Sequence, residues 1–552
     1  MKQGNRSGRF VRTVRHLGPG QAFAQLAYLF HGLRPPRPSQ GESPELSGGL
    51  PPVAFLAGPA HARWHASGEL ELIGRRVDFA GGVDWAFTGE GLLWLYHLHQ
   101  CDHLRGPQIA PSQRLSLMLA WVRDCSGGSG WDPHPTSLRI LSWGKILLIP
   151  GAIEPTEDER VLICGSLARQ LDHLDRNLEF RLGANHLLSN LVGMVFGGLL
   201  FEGHRADAWL GRSAMLCDEL VAQFGSDGAH QERSPMYHGL LLENLLDLLN
   251  LVRARPERVP DGLLEALETT AAAALGALSV WRHPDGEIAL FGDSGFGIAQ
   301  APDSLVEYGR VLGLTPRPPR TPGLLEAAGF ARLEGADFAL AVSLGGPAPA
   351  HQPGHAHCDA LAFELACRGQ RVVCDTGVYA YLPGERRTLA RATRSHATLE
   401  IGGEEQAEIW AAHRVGGRPQ VAVVDYRAGQ WLEGTCISWS TPGTLHRRRF
   451  VLEDGVLEIR DELEGEVQSA VLSLPLAPGI EPLLNQDSDG AAQAHLDLPQ
   501  GGHLRVALPA GADWRIERIP YYPEFGKEVT RACLVGEAAA FESGIWRFVL
   551  SD

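Results

Sequence analysis

The chain has no CxxC pair, and its nine cysteines, an odd number spread from Cys101 to Cys533, do not form the even, closely spaced set of a disulfide framework. A thiolate zinc knuckle is excluded on the same ground, so reduced and mostly buried thiols are expected. Also missing is any run approaching the roughly 18 apolar residues of a membrane-spanning helix, and no span is expected. Positive charge is scarce: 49 Lys and Arg against 65 Asp and Glu leave a formal charge of −16. That balance argues against a nucleic-acid partner, which needs a basic face. It does not exclude an acidic polymer held in a cleft that gathers Arg, His and Lys locally. The N-terminus, MKQGNRSGRFVRTVRHLGPGQAFAQLAYLFHGLRPP, is basic, but it lacks a continuous apolar core followed by small residues at a cleavage site. Residues 1–50 therefore read as a basic, amphipathic segment rather than a secretory leader, with the cytoplasm as the expected address and the periplasm as the alternative.

At 552 residues the chain exceeds the size at which single cores stop growing, and 44 % hydrophobic with 21 % charged residues is an ordinary globular composition. After a short β element at WHASGELELIGRRVDF, apolar residues recur at helical spacing from about 90 to 315, as in NHLLSNLVGMVFGGLLF and MYHGLLLENLLDLLNLVRA. Such segments with short connections predict stacked antiparallel helix hairpins over 51–315. A Pro-rich linker, TPRPPRTPGL, marks 316–326. Beyond it the pattern becomes two-fold, with strand-like stretches such as ALAFELACRGQRVVCD and LHRRRFVLEDGVLEIRDELEG, which predicts an antiparallel β-sandwich over 327–552. The expected architecture is an all-α domain followed by an all-β domain.

Three patches carry chemistry. In GANHLLSN, Asn185 and His186 open an apolar helix, although an Asn just past Gly183 is equally well read as a helix N-cap. In DGAHQERSPMYHG, Ser234 and Pro235 read as a cap and first-turn proline, which leaves His230, Glu232, Arg233, Tyr237 and His238 gathered at a helix mouth without a structural reason. In GHAHCDALAFELACRGQRVVCDTGVYAY, the alternation of His355, His357 and Asp359 would project all three from one face of an extended strand. With Asp375 and His396 downstream, the histidines and a carboxylate from successive strands make a divalent-metal site. Zinc suits that donor set first, with manganese or calcium as alternatives.

An amide, a tyrosine and a histidine at one cleft fit β-elimination across a uronic-acid ring. The C5 proton becomes removable once the neighbouring carboxylate is neutralised, and an Asn donor can hold the enolate-like charge. A tyrosine beside a cation such as Arg233 has its phenolate favoured, so it can act as base toward C5 or acid toward the leaving oxygen. Glycoside hydrolysis asks instead for two carboxylates flanking the bond, and no clear pair flanks Tyr237.

The motifs NHLLSN, DGAHQERSPMYH, GHAHCDALAFEL, VVCDTGVYAY and RATRSHATLEIGGEEQAEIW, in this order, resemble those of the heparinase II/III family of polysaccharide lyases; VDWAF, WDPHPTSLRILSW and LHRRRFVLEDGVLEIRDELEG extend the likeness over about 80–465. The resemblance implies an incomplete (α/α) toroid joined to an antiparallel β-sandwich, with the cleft between them. It implies that Asn185 binds the uronate carboxylate, that Tyr237 is the catalytic acid and also a possible base, and that His355 is the catalytic histidine; Arg233 joins the catalytic set as the cation expected beside Tyr237. His186, Glu232 and His238 would contact an acidic polysaccharide or oligosaccharide, Asp359 would support the site, and His357, Asp375 and His396 would hold one metal. Ala397, His134 and Ser142 depart from the family pattern. The alternatives are a glycoside hydrolase on the same scaffold and a non-catalytic glycan-binding or polysaccharide-assembly protein.

Overall fold

The computed structural model describes residues 6–38, 43–466 and 468–551. Two helices open it, α1 (Arg6–Val14) and α2 (Pro19–His31), and a three-stranded antiparallel sheet follows, built from Ala62–Trp64, Glu69–Leu72 and Arg75–Asp78. The helical region then runs through α3 (Leu92–Gln100), α4 (Pro111–Asp124), α5 (Pro133–Leu148), α6 (Glu157–Asp175), α7 (Ala184–Leu200) and α8 (His204–Leu210). It continues with α9 (Ser213–Gln223), α10 (Pro235–Ala254), α11 (Leu263–Trp281) and α12 (Pro302–Val311).

Local chemistry sets these boundaries. Proline stands in the first turn of α4, α5, α10 and α12, where its missing N–H costs nothing. Thr156 and Glu159 form a reciprocal capping box at α6, and the Ser234 hydroxyl accepts from the Tyr237 amide at α10. Helix α7 is apolar around its whole circumference and is buried along nearly its whole length, as such a sequence requires. Its glycines admit neighbours: a Cβ at Gly198 would stand 2.7 Å from the backbone nitrogen of Leu210 in α8. Among the described residues α11 is the one helix long and apolar enough to cross a bilayer. Here Ala271, Ala274, Leu275, Leu278 and Trp281 of that helix belong to the protein core.

The expected sandwich follows. A five-stranded antiparallel sheet begins at Leu324–Leu325 and ends with Phe363–Cys367 and Gln370–Val373; an eight-stranded and a four-stranded antiparallel sheet complete the region, with α13 (Glu385–Arg391) on a connection. The sheets share one core containing Leu340, Phe363, Phe450, Ile459, Leu472, Leu534 and Phe548. The hairpin Thr444–Glu453 with Val456–Gly465 turns at Asp454 and Gly455, both at positive φ, as an Asp-Gly turn demands. Its first strand alternates buried with half-buried positions, and this places Arg448 inside the sandwich. There Arg448 pairs with Asp461 through contacts of 2.6 and 3.0 Å and donates to the carbonyls of Leu361 and Ala397, fixing the loops that carry His357 and His396. All nine cysteines are unpaired thiols, and all but the half-buried Cys217 are buried.

Buried histidines make stability fall with acid. Burial holds His99 and His134 down at about 3 and His103, His230 and His238 at about 4, so they fold neutral, whereas an unfolded histidine protonates near 6.5. Below that pH the unfolded chain binds more protons, and unfolding is favoured progressively as pH falls. Thermal unfolding followed from pH 7.5 to about 4.5 is expected to show a steady drop in midpoint; a flat profile would mean these rings are hydrated.

Candidate active site and metal centre

A cavity of about 480 Å³ lies between the helical and β regions, lined by Asn185, His186, Glu232 and Tyr237 from one side and His355, Tyr381 and His413 from the other. The first group is delivered by two helix starts, α7 and α10. Gly183, at φ 63°, precedes α7 and replaces the expected Asn cap: Asn185 lies inside the first turn, and its side chain makes no cap bond. The Asn185 amide instead donates to both oxygens of Glu232, each at 2.8 Å, and its backbone N–H reaches the same carboxylate at 3.2 Å. Glu232 thus sits at the positive end of α7, which favours an anion. Burial alone would raise its pKa, but His355, His230 and the Asn185 donors bring it below the usual carboxylate range.

Tyr237 and His355 stack, with ring centroids 4.0 Å apart and planes 29° from parallel. The Tyr237 hydroxyl lies 3.0 Å from that of Tyr381. Burial pushes the Tyr237 phenol well above its ordinary value, so it rests protonated; the phenolate expected from a neighbouring Arg233 is not favoured here. The positive φ of Arg233 (55°) turns it from the cleft, and its guanidinium donates to the carbonyls of Gly346 at 2.7 Å and Ala327 at 3.1 Å. His238 also lies off the cavity lining. Its Nε2–H donates to the Ala274 carbonyl at 2.9 Å, its Nδ1 accepts from the His230 amide, and its ring meets Trp281 edge-on. Arg233 is therefore a tie between regions and His238 a core residue, because hydrogen-bond partners inside the fold already satisfy both.

His186 does face the cavity, with Nδ1 3.1 Å from a Glu179 oxygen. Burial would lower its pKa, but Glu179 outweighs that and raises it, which favours the protonated ring at the cleft wall. His134 packs 4.4 Å from this ring, and burial together with His186 keeps it neutral. These two rings and Glu179 bring ligand atoms within 4.8 Å of one another; Glu179 already accepts from His186 and Asn190, which makes the group an ion pair with a neutral neighbour.

Residues 354–359 do not form the expected strand. They run as turns and irregular backbone into Phe363–Cys367, and the His-x-His-x-Asp alternation has no common face. Asp293, in the loop FGDSG after α11, organises the two histidines. Its carboxylate accepts from His355 Nδ1 at 2.9 Å, from His357 Nε2 at 2.9 Å and from both terminal nitrogens of Arg387. Fully buried, it would be pushed up in pKa, yet Arg387 and the two histidines hold it well below the carboxylate range. With Nδ1–H given to Asp293, the His355 Nε2 is the nitrogen free to exchange a proton, 3.9 Å from Glu232. No motif on either side of Asp293 announces this role; its one signal is an acid after an apolar run, set between Gly292 and Ser294-Gly295.

His357, Asp375 and His396 are all buried and bring ligand atoms within 4.8 Å of one another. His396 Nδ1 lies 2.8 Å from Asp375, while His357 Nδ1 and His396 Nε2 are buried without a hydrogen-bond partner. Two orphaned imidazole nitrogens beside a carboxylate fit a divalent cation of borderline softness. Asp359 stays outside this trio, its carboxyl pushed up to about 6 by burial and the nearby Asp375 despite His396.

Residues 154–303 match the model of the heparinase II/III N-terminus, and residues 317–541 that of the heparinase II/III-like C-terminal region. No curated protein sequence matches the chain. Among solved structures, a heparinase III superposes with a TM-score of 0.68 at 17 % identity, covering 98 % of this chain and 93 % of its own. A heparan sulfate lyase from Pedobacter heparinus superposes at 0.58 and 17 % identity, covering 97 % and 87 %. These likenesses carry the fold, a helical toroid followed by a β-sandwich. The two domain models together cover most of the chain in the order of the family: the protein belongs to the heparinase II/III-like family.

Proposed function

We propose that the protein is a polysaccharide lyase that cleaves a uronate-containing, glycosaminoglycan-like polymer by β-elimination. The observation that carries this reading is the stacked pair of Tyr237 and His355, with the phenol held protonated and one imidazole nitrogen open to the cleft, beside an amide and an imidazolium that suit a carboxylate. Asn185 and the His186 cation would neutralise the uronate carboxylate, lowering the cost of charge at C5. His355 Nε2 takes the C5 proton, the electron pair forms the C4–C5 double bond, and the C4–O bond breaks. Tyr237 gives its proton to the departing oxygen, and Tyr381 is within reach to pass one back. Hydrolysis is disfavoured because Glu232 and Asp293 are both engaged in hydrogen bonds to Asn185 and to His355, His357 and Arg387. Incubation with hyaluronan, chondroitin, heparan sulfate and alginate is expected to raise ultraviolet absorbance from the new conjugated bond on at least one of them. Reducing ends without absorbance would indicate hydrolysis instead.

His357, Asp375 and His396 would hold one divalent metal, zinc first among candidates. When bound, the ion supplies positive charge that orders this corner of the β region, and His357, tied to Asp293, links that corner to His355. Metal analysis of the purified protein is expected to give about one equivalent per chain, lost in His396→Ala. Unchanged content in that variant would remove these residues as ligands.

A further inference from the structure

Helix α2 is oriented against the usual rule. A surface helix hides its apolar stripe and shows its polar face to water. Here Gln21 and Tyr28 face the protein, Gln21 donating to the Arg181 carbonyl at 3.2 Å and Tyr28 lying under the Arg181 guanidinium at 4.1 Å. The apolar face points outward: Phe23, Leu26 and Phe30, at i, i+3 and i+7, are 74, 54 and 81 % exposed, and Leu29 beside them is 69 % exposed. Phe10 and Val11 of α1 are exposed as well.

The segment that carries this face has charge of one sign. The first acidic residue of the chain is Glu42, and the residues before it hold seven Lys and Arg, within a protein of net charge −16. Glu408 takes up Arg9 and Arg12, while Arg15 before α2 and Arg34 and Arg37 after it are exposed. The helices are also anchored. Arg12 binds Glu408 at 2.6 and 2.8 Å, Thr13 accepts from Trp410, and the Arg34 amide donates to Asn177 at 2.8 Å. The exposed face is thus held outward by contacts to both regions.

We propose that α1 and α2 form a docking surface for an anionic lipid bilayer. Phe23, Leu26, Leu29 and Phe30 enter the headgroup boundary while Arg15, Arg34 and Arg37 meet acidic headgroups. An outward aromatic and aliphatic stripe whose charged neighbours along the chain are all basic is the pattern of an interfacial helix lying in the membrane plane. A bilayer also needs no shaped groove in return, whereas a protein partner would. Because Asn177 and Arg181 hold α2 and the nearby Leu182 and Gly183 line the cavity, docking would keep the cleft close to the lipid surface.

The test is sedimentation of the full chain with vesicles of pure phosphatidylcholine and of equal parts phosphatidylcholine and phosphatidylglycerol. The expected result is binding to the mixed vesicles only, weakened by high salt. The triple variant Phe23→Ser, Leu26→Ser, Phe30→Ser and the charge reversal Arg15→Glu, Arg34→Glu, Arg37→Glu should each lower partitioning by about tenfold or more. Unfolding midpoints equal to wild type would show the exposed substitutions leave the fold intact; a variant that unfolds early is replaced by the single change Phe30→Ser, expected to weaken binding in the same direction. Failure to bind mixed vesicles, or binding unaffected by the variants, overturns the proposal. So does a dimer in light scattering that the serine variant dissolves, since the face would then belong to a second copy.

Discussion

Tyr237→Phe is expected to lower turnover on the responsive polymer by about 10²–10⁴-fold, the range in which a positioned proton donor contributes, with substrate affinity little changed. The ring that stacks on His355 remains; only the hydroxyl 3.0 Å from Tyr381 is lost. Removing that one hydrogen bond should shift stability by no more than about 1 kcal/mol, so a normal unfolding midpoint beside a collapsed rate assigns the hydroxyl to chemistry. The half-buried phenol rests protonated, which suits the proposed role of donor to the leaving oxygen, with proton removal assigned to His355. A Phe variant that keeps near-normal turnover would end the assignment.

Asp293→Asn is expected to cost both stability and rate. The amide is close in size, but Arg387, only 3 % exposed, is left as a buried guanidinium without its carboxylate, and His355 and His357 lose the anion that accepts from both. Breaking a buried ion pair from one side typically destabilises by about 3–5 kcal/mol. Turnover should fall by about 10²–10⁴-fold as His355 loses its fixed tautomer, as happens when the carboxylate orienting a catalytic histidine is neutralised. Adding Arg387→Met to this variant removes the orphaned charge. Stability should then recover in part while turnover does not, and a fall in kcat rather than a rise in KM would locate the loss in positioning. Full recovery of the rate in the double variant would reduce Asp293 to a packing role.

How far the sequence led depended on whether a residue's job is local. The change from 3.6-residue to two-residue periodicity near 315 is written in each short stretch, and the helices and sheets follow it. Asn185, Tyr237 and His355 stand in quotable motifs, and the fold gathers them on one cavity. Asp293 carries as many contacts but was not legible, because its partners stand 62, 64 and 94 positions further along. Arg233 and His238 misled for the converse reason. A polar cluster in sequence does not say which way each side chain turns, and a left-handed backbone at one residue and a helix interior at the other sent them elsewhere. The apparent strand at 355–359 failed because alternation alone cannot supply a pairing partner; the ladder begins only at Phe363.

The Arg233 tie has a mechanical meaning. It stands four residues before Tyr237 and grips carbonyls at 327 and 346, beyond α12, while Asp293 binds Arg387, His355 and His357. The two sides of the cleft are therefore braced at two points, by Arg233 and by Asp293. For the proposed lyase reaction, such bracing would move discrimination among polymers from closure of the cleft to the fit on entry.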